Sequence, residues 1–132
     1  MISNKTLSNA KISVGITAYK NSKYIMEALN SLINQTVDNW EGIFVLDKGA
    51  EENTKKIFNS FNHPKFLKYE CKNHKGAEQA RHKAIKLSST NWFFQLDSDD
   101  KIPPYAINEI LSKISENPKA EFIYGPTMHF SK

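Results

Sequence analysis

The chain has 132 residues, 39% of them apolar and 24% charged, with one cysteine and a formal charge of +4. This is the size of one ordinary domain with a modest core; a lone Cys71 excludes an internal disulfide and any Cys-rich zinc site, and no apolar run reaches the roughly 18 to 20 residues of a membrane-spanning helix. The positive charge suits an anionic partner, but the lysines are scattered, with only Lys55 beside Lys56 and Lys72 near Lys75, so no nucleic-acid groove is expected.

Residues 1–10, "MISNKTLSNA", are polar and lack the apolar stretch of a secretory signal, which reads as a flexible leader on a cytoplasmic chain. Residues 11–132 are expected to form a single domain. "KISVGITAY" (Lys11 to Tyr19) is apolar at nearly every position, the pattern of a strand covered on both faces. A helix capped by Ser22 follows, with Ile25, Leu29, Leu32 and Ile33 on one face, ending near "NQT". "EGIFVLD" (Glu41 to Asp47) is a second buried strand. Thr54 to Phe61 forms a short helix buried through Ile57, Phe58 and Phe61, and Pro64 ends it.

"FLKYEC" (Phe66 to Cys71) alternates like a third strand, with Cys71 half-buried in it. In "GAEQARHKAIKL", Ala77, Ala80, Ala84 and Leu87 are spaced for a helix face narrow enough to lie close against a sheet. "NWFFQLD" (Asn91 to Asp97) is the fourth strand. Pro104 to Ser115 is a further helix, proline being tolerated in its first turn and Ile107, Ile110, Leu111 and Ile114 facing inward. "AEFIYGP" (Ala120 to Pro126) is expected to close the sheet as a fifth strand. Strands alternating with helices imply right-handed crossovers and an α/β fold with a mostly parallel sheet and helices on both faces.

Ligands of such sheets gather at the carboxyl ends of the strands. There lies "LDSDDK", in which Asp97, Asp99 and Asp100 bring three carboxylates within four positions. Like charges this close repel unless a cation lies between them. If extended geometry persists past Leu96, Asp97 and Asp99 point to one side and Asp100 elsewhere, a pair suited to Mg²⁺ or Mn²⁺. Capping of the following helix is the equal alternative on spacing alone. A calcium loop of the EF-hand kind does not fit, because its sixth and twelfth positions from Asp97 are Ile102 and Asn108. An aspartyl-phosphate phosphatase does not fit either, since the first strand ends "TAYKN" without an acid. His63, His74 and His129 are too dispersed to form a ligand set with one another.

Four stretches together resemble the family 2 glycosyltransferases of the GT-A fold. "ISVGITAYKNSKYIMEALNSLINQT" is similar to the family's I-S-V-I-I-P-T-Y-N strand followed by L-x-S-[VIL]-L-x-Q-T. "IFVLDKGAEENT" is similar to I-V-V-D-D-G-S-x-D-x-T, "GAEQARHKAI" to G-x-x-x-A-R-N-x-[GA]-I, and "FFQLDSDDKIPP" to F-L-D-x-D-D-x-[LI]-x-P. The resemblance runs from about Lys11 to Gly125 and implies a Rossmann-like, nucleotide-diphospho-sugar transferase fold that stops before the acceptor half.

What the resemblance implies for single residues is specific. Thr17 and Tyr19 match positions lining the nucleoside, Asp47 and Asp97 acids near the base or ribose, Asp99 the ligand of a Mn²⁺ or Mg²⁺ ion, with Asp97 beside it as a second ligand, and Arg81 an arginine at the nucleotide edge that offsets phosphate or holds Asp97 in place. Lys48 stands where the family has a second acid and is expected to face phosphate. His82 replaces the asparagine of A-R-N and carries no assigned chemistry. The implied reaction moves a sugar from a nucleotide-sugar, first a UDP-sugar and otherwise a GDP- or dTDP-sugar, to a carbohydrate or lipid-linked acceptor, with inversion. Polysaccharide, glycolipid or surface-polymer synthesis, with peripheral association at the inner face of the membrane, is the expected setting. The family's general base lies well past the acidic motif, so none is assigned here. The competing reading is a nucleotide-sugar-binding module without transfer activity of its own.

Overall fold

A computed structural model describes residues 10–20, 22–74, 76–126 and 128. The leader, save Ala10, and Lys75 and His129 lie outside the described residues. In chain order the elements are β1 (Ile12–Ala18), α1 (Ser22–Ile33), β2 (Trp40–Leu46), α2 (Glu52–Ser60), β3 (Phe66–Glu70), α3 (Ala77–Leu87), β4 (Phe93–Asp97) and α4 (Ala106–Glu116). Among the described residues the four strands form one parallel sheet in the order β3-β2-β1-β4. No helix of the described residues is long and apolar enough to cross a membrane.

Alternation along the strands decides which helix covers which face. Ile12, Val14 and Ile16 of β1, Trp40 and Phe44 of β2, Phe66 of β3 and Leu96 of β4 point to one side. There they meet Ile25, Ala28, Leu29 and Leu32 of α1, Phe58 of α2, Phe61 just beyond it, and Ile107 of α4. Each Val, Leu, Ile or Phe side chain sealed from water there contributes about 1.5–3 kcal/mol. On the opposite side Ile43 and Val45 meet Ala80 and Ala84 of α3. The small residues let α3 come near: a Cβ added to Gly15 in β1 would lie 2.5 Å from the Phe93 ring and 3.1 Å from the Ala84 Cβ. Gly76 starts α3 with φ of 87°, a conformation a Cβ would strain.

Four expectations need correction. Ala120–Pro126 forms no strand among the described residues, and Phe122 and Tyr124 stack on each other in solvent with centroids 6.3 Å apart. Their alternation suits a strand, but alternation alone does not pair a segment with a neighbour, and among the described residues β4 remains an edge of the sheet. Pro104 lies in the turn before α4 rather than in its first turn, because the helix begins at Ala106, whose N–H is bonded to the Pro103 carbonyl. Ser22 is the first helical residue rather than the cap. Ala77 is exposed, so the apposed face of α3 begins at Ala80.

Candidate functional site

Parallel strands in register place every carboxyl end at one edge, and Thr17 of β1 lies between Val45 of β2 and Asp97 of β4. The same alternation that builds the core turns Thr17, Gln95 and Asp97 toward α3, where Arg81 waits one turn into the helix. Arg81 donates from Nη2 to Asp97 Oδ1 at 3.0 Å, both side chains being nearly half exposed. Beneath this pair, Gln95 Nε2 lies 3.4 Å from Thr17 Oγ1. Among the described residues the buried Gln95 Oε1 and Arg81 Nε have no partner.

β4 stops at Asp97 and the chain turns at once, closed by the Asp100 N–H donating to the Asp97 carbonyl at 3.0 Å. Extended geometry therefore does not persist, and Asp100 does not point elsewhere. Instead Asp97, Asp99 and Asp100 each bring a carboxylate oxygen within 4.8 Å of the others. A tight turn gathers three acids where a continued strand would have gathered two. An all-oxygen anionic donor set of this kind fits a hard divalent cation such as Mg²⁺ or Mn²⁺ and not a soft one.

Asp47 follows β2 and is buried, at 2% exposure. Its N–H is bonded to the Ala18 carbonyl at 2.9 Å, which ties the end of β2 to the end of β1. Its Oδ1 accepts the Gly49 N–H at 2.7 Å, an Asx-type turn, and meets His74 Nδ1 at 2.5 Å. His74 also approaches the Tyr19 ring, with centroids 5.2 Å apart and planes at 47°. Tyr19 is held by its carbonyl, which accepts the Glu51 N–H at 3.0 Å, and Lys20 Nζ lies 5.3 Å from its ring centre. Lys48 is exposed in the turn after β2. The half-buried Cys71 thiol is pushed above its ordinary pKa, first by burial and then by the Asp47 charge, which puts the end of β3 beside the same carboxylate.

The seven residues singled out from sequence thus occupy one edge in two groups: Arg81, Asp97 and Asp99 around the β4 turn, and Tyr19, Asp47 and Lys48 around the β2 turn, with Thr17 on the strand between. Three more residues stand at this edge: Asp100 is brought in by the turn after β4, Gln95 by the facing of that strand, and His74 by the segment after β3, at the carboxyl edge where ligands gather.

The sequence profile of Glycosyl transferase family 2 matches residues 13–132. The chain is 30% identical over 115 residues to a chondroitin synthase of Escherichia coli, covering 86% of this chain and 16% of that protein. S. aureus TarS 1–349 superposes with a TM-score of 0.74 at 26% identity, covering 82% of this chain and 33% of that one; the same protein in complex with UDP-GlcNAc gives 0.72 at 25%. A mannosyltransferase from Pyrobaculum calidifontis, solved with GDP-Man and Mn²⁺, shares the fold at a TM-score of 0.69 and 13% identity, covering 85% of this chain and 35% of that one. The chain spans well under half the length of each.

Proposed function

The chain belongs to glycosyl transferase family 2, and from that premise we propose that it forms the donor-binding half of a metal-dependent, inverting glycosyltransferase. The observation that carries the reading is the meeting, at one sheet edge, of the Asp97–Asp99–Asp100 cluster with Arg81, Asp47 and Tyr19. Tyr19, Thr17 and Asp47 hold the nucleoside of the donor. Asp97 and Asp99, joined by Asp100, hold Mn²⁺ or Mg²⁺; Arg81 braces Asp97 and offsets charge, and Lys48 faces phosphate. A bound ion of this kind neutralises the diphosphate as it departs.

The chemistry is displacement at the anomeric carbon: an acceptor hydroxyl forms the new glycosidic bond, the bond to the diphosphate breaks, and the hydroxyl proton passes to a base. None of the residues named above is given that last role. TarS, solved with UDP-GlcNAc, supports a UDP-sugar as the donor. The acceptor is a carbohydrate or a lipid-linked glycan of polysaccharide, glycolipid or surface-polymer synthesis, reached at the cytoplasmic face of a membrane. A nucleotide-sugar-binding module without transfer activity of its own is the second reading.

Calorimetric titration with UDP, GDP, dTDP and CDP, with and without Mn²⁺, tests the proposal. Binding is expected to require the ion and to weaken by at least about tenfold in Asp99→Ala. If none of the four nucleotides binds in a metal-dependent way, the reading is wrong. Release of sugar from a bound UDP-sugar by this chain alone would exclude the module.

A further inference from the structure

We propose that His74 determines which nucleobase the site admits, an inference that rests on the donor-binding reading above. Asp47 is a nearly buried carboxylate whose two oxygens have unequal surroundings. Each oxygen of a carboxylate offers about two acceptor positions. Oδ1 takes the Gly49 N–H at 2.7 Å and faces His74 Nδ1 at 2.5 Å. A carboxylate only accepts, so the shared proton rides on Nδ1 and both positions on Oδ1 are filled. The contacts of the carboxylate among the described residues fall on Oδ1, and Oδ2 is not among the buried atoms left without a partner, so it is the oxygen still open to an incoming donor. The site therefore offers a ligand one carboxylate oxygen.

Nucleobases differ in what they can give to such a carboxylate. Uracil and thymine present a single ring N–H between two carbonyls. Guanine presents two donors side by side, which match both oxygens of one carboxylate as a guanidinium does. With Oδ1 occupied, guanine loses half of that match and uracil or thymine loses none. His74 comes from the loop after β3 and is packed in place by Tyr19, 5.2 Å away, and by Gly49, where an added Cβ would lie 2.9 Å from Nδ1. Its side chain is 49% exposed, so it serves the neighbouring carboxylate rather than the core.

The test is the ratio of the GDP and UDP dissociation constants, each measured with Mn²⁺ on the 132-residue chain, because the two nucleotides differ only in the base. Wild type is expected to favour UDP by about tenfold or more. His74→Ala frees Oδ1 and should lower the ratio by about tenfold, whereas His74→Asn, which keeps an amide N–H where Nδ1 stands, should hold it. Gly49→Ala leaves the histidine but displaces it from Asp47, and should lower the ratio as well. A wild type that prefers GDP overturns the inference. So does equal weakening of both nucleotides in His74→Ala, or a ratio untouched in either His74→Ala or Gly49→Ala. These results leave the donor-binding proposal standing; that proposal falls, and this inference with it, if wild type binds no nucleotide in a metal-dependent way.

Discussion

On the face of the sheet covered by α1, α2 and α4, the rings of Trp40, Phe44, Phe58, Phe61 and Phe66 interlock edge to face with centroids 4.9 to 5.7 Å apart. On the face under α3, two alanines lie on Ile43 and Val45, and Ser13, Thr17, Gln95 and Asp97 run along the same side of the strands. The first face concentrates apolar burial. The second uses small residues to bring a helix near and leaves room for polar groups that lead to the carboxyl edge. Stability and chemistry are therefore divided between opposite sides of the same four strands, and each side should fail in its own way.

The largest effect is expected at Phe44, which meets both Phe58 and Phe61. Phe44→Ala should cost about 3–5 kcal/mol in urea unfolding, the lost transfer energy plus the cavity. A loss under about 1 kcal/mol would show that the aromatic layer is not where the stability resides. On the other face the half-exposed Arg81–Asp97 pair is worth under about 1 kcal/mol. Arg81→Met should thus leave the melting temperature nearly unchanged while weakening Mn²⁺-dependent UDP binding. The division of roles breaks down if this variant unfolds as readily as Phe44→Ala.

The smallest effect belongs to His63, stacked on Trp40 at the border of the aromatic layer. Burial, and then the Lys65 charge, lower its pKa from the usual 6.5. The unfolded chain consequently binds a proton there that the folded chain resists. Stability should fall as pH drops through 6.5 and level off below the lowered value. Urea midpoints at about pH 5 and about pH 7.5 measure the slope, and His63→Gln should flatten it. An unaltered slope would place the pH dependence elsewhere.

Much of this arrangement was legible beforehand. All eight elements of the structure were expected within two or three residues of their bounds, because doubly covered strands read as continuous apolar runs and α1 carries its apolar residues on one side. Arg81 and the acids were legible as neighbours through the carboxyl-edge rule and the family's motifs. The absence of a fifth strand was not, since Phe122 and Tyr124 alternate as a strand would and yet form no ladder with the open edge of β4. Nor was the third acid of the cluster, because a two-residue change from strand to turn redirects Asp100 without altering any periodicity.

By itself the amino-acid sequence determined the alternation of strand and helix, the side chains available for the core, and the acids that end β4, all of which follow from spacing along a single chain. Only the tertiary structure decided that His74 rests on Asp47 across 27 positions of sequence and that Glu41 is buried against Ser89 at the far end of the sheet. Those pairings depend on the order β3-β2-β1-β4 and on how closely α3 approaches. Distances between strand ends are set by packing in three dimensions, and local propensity carries no record of them.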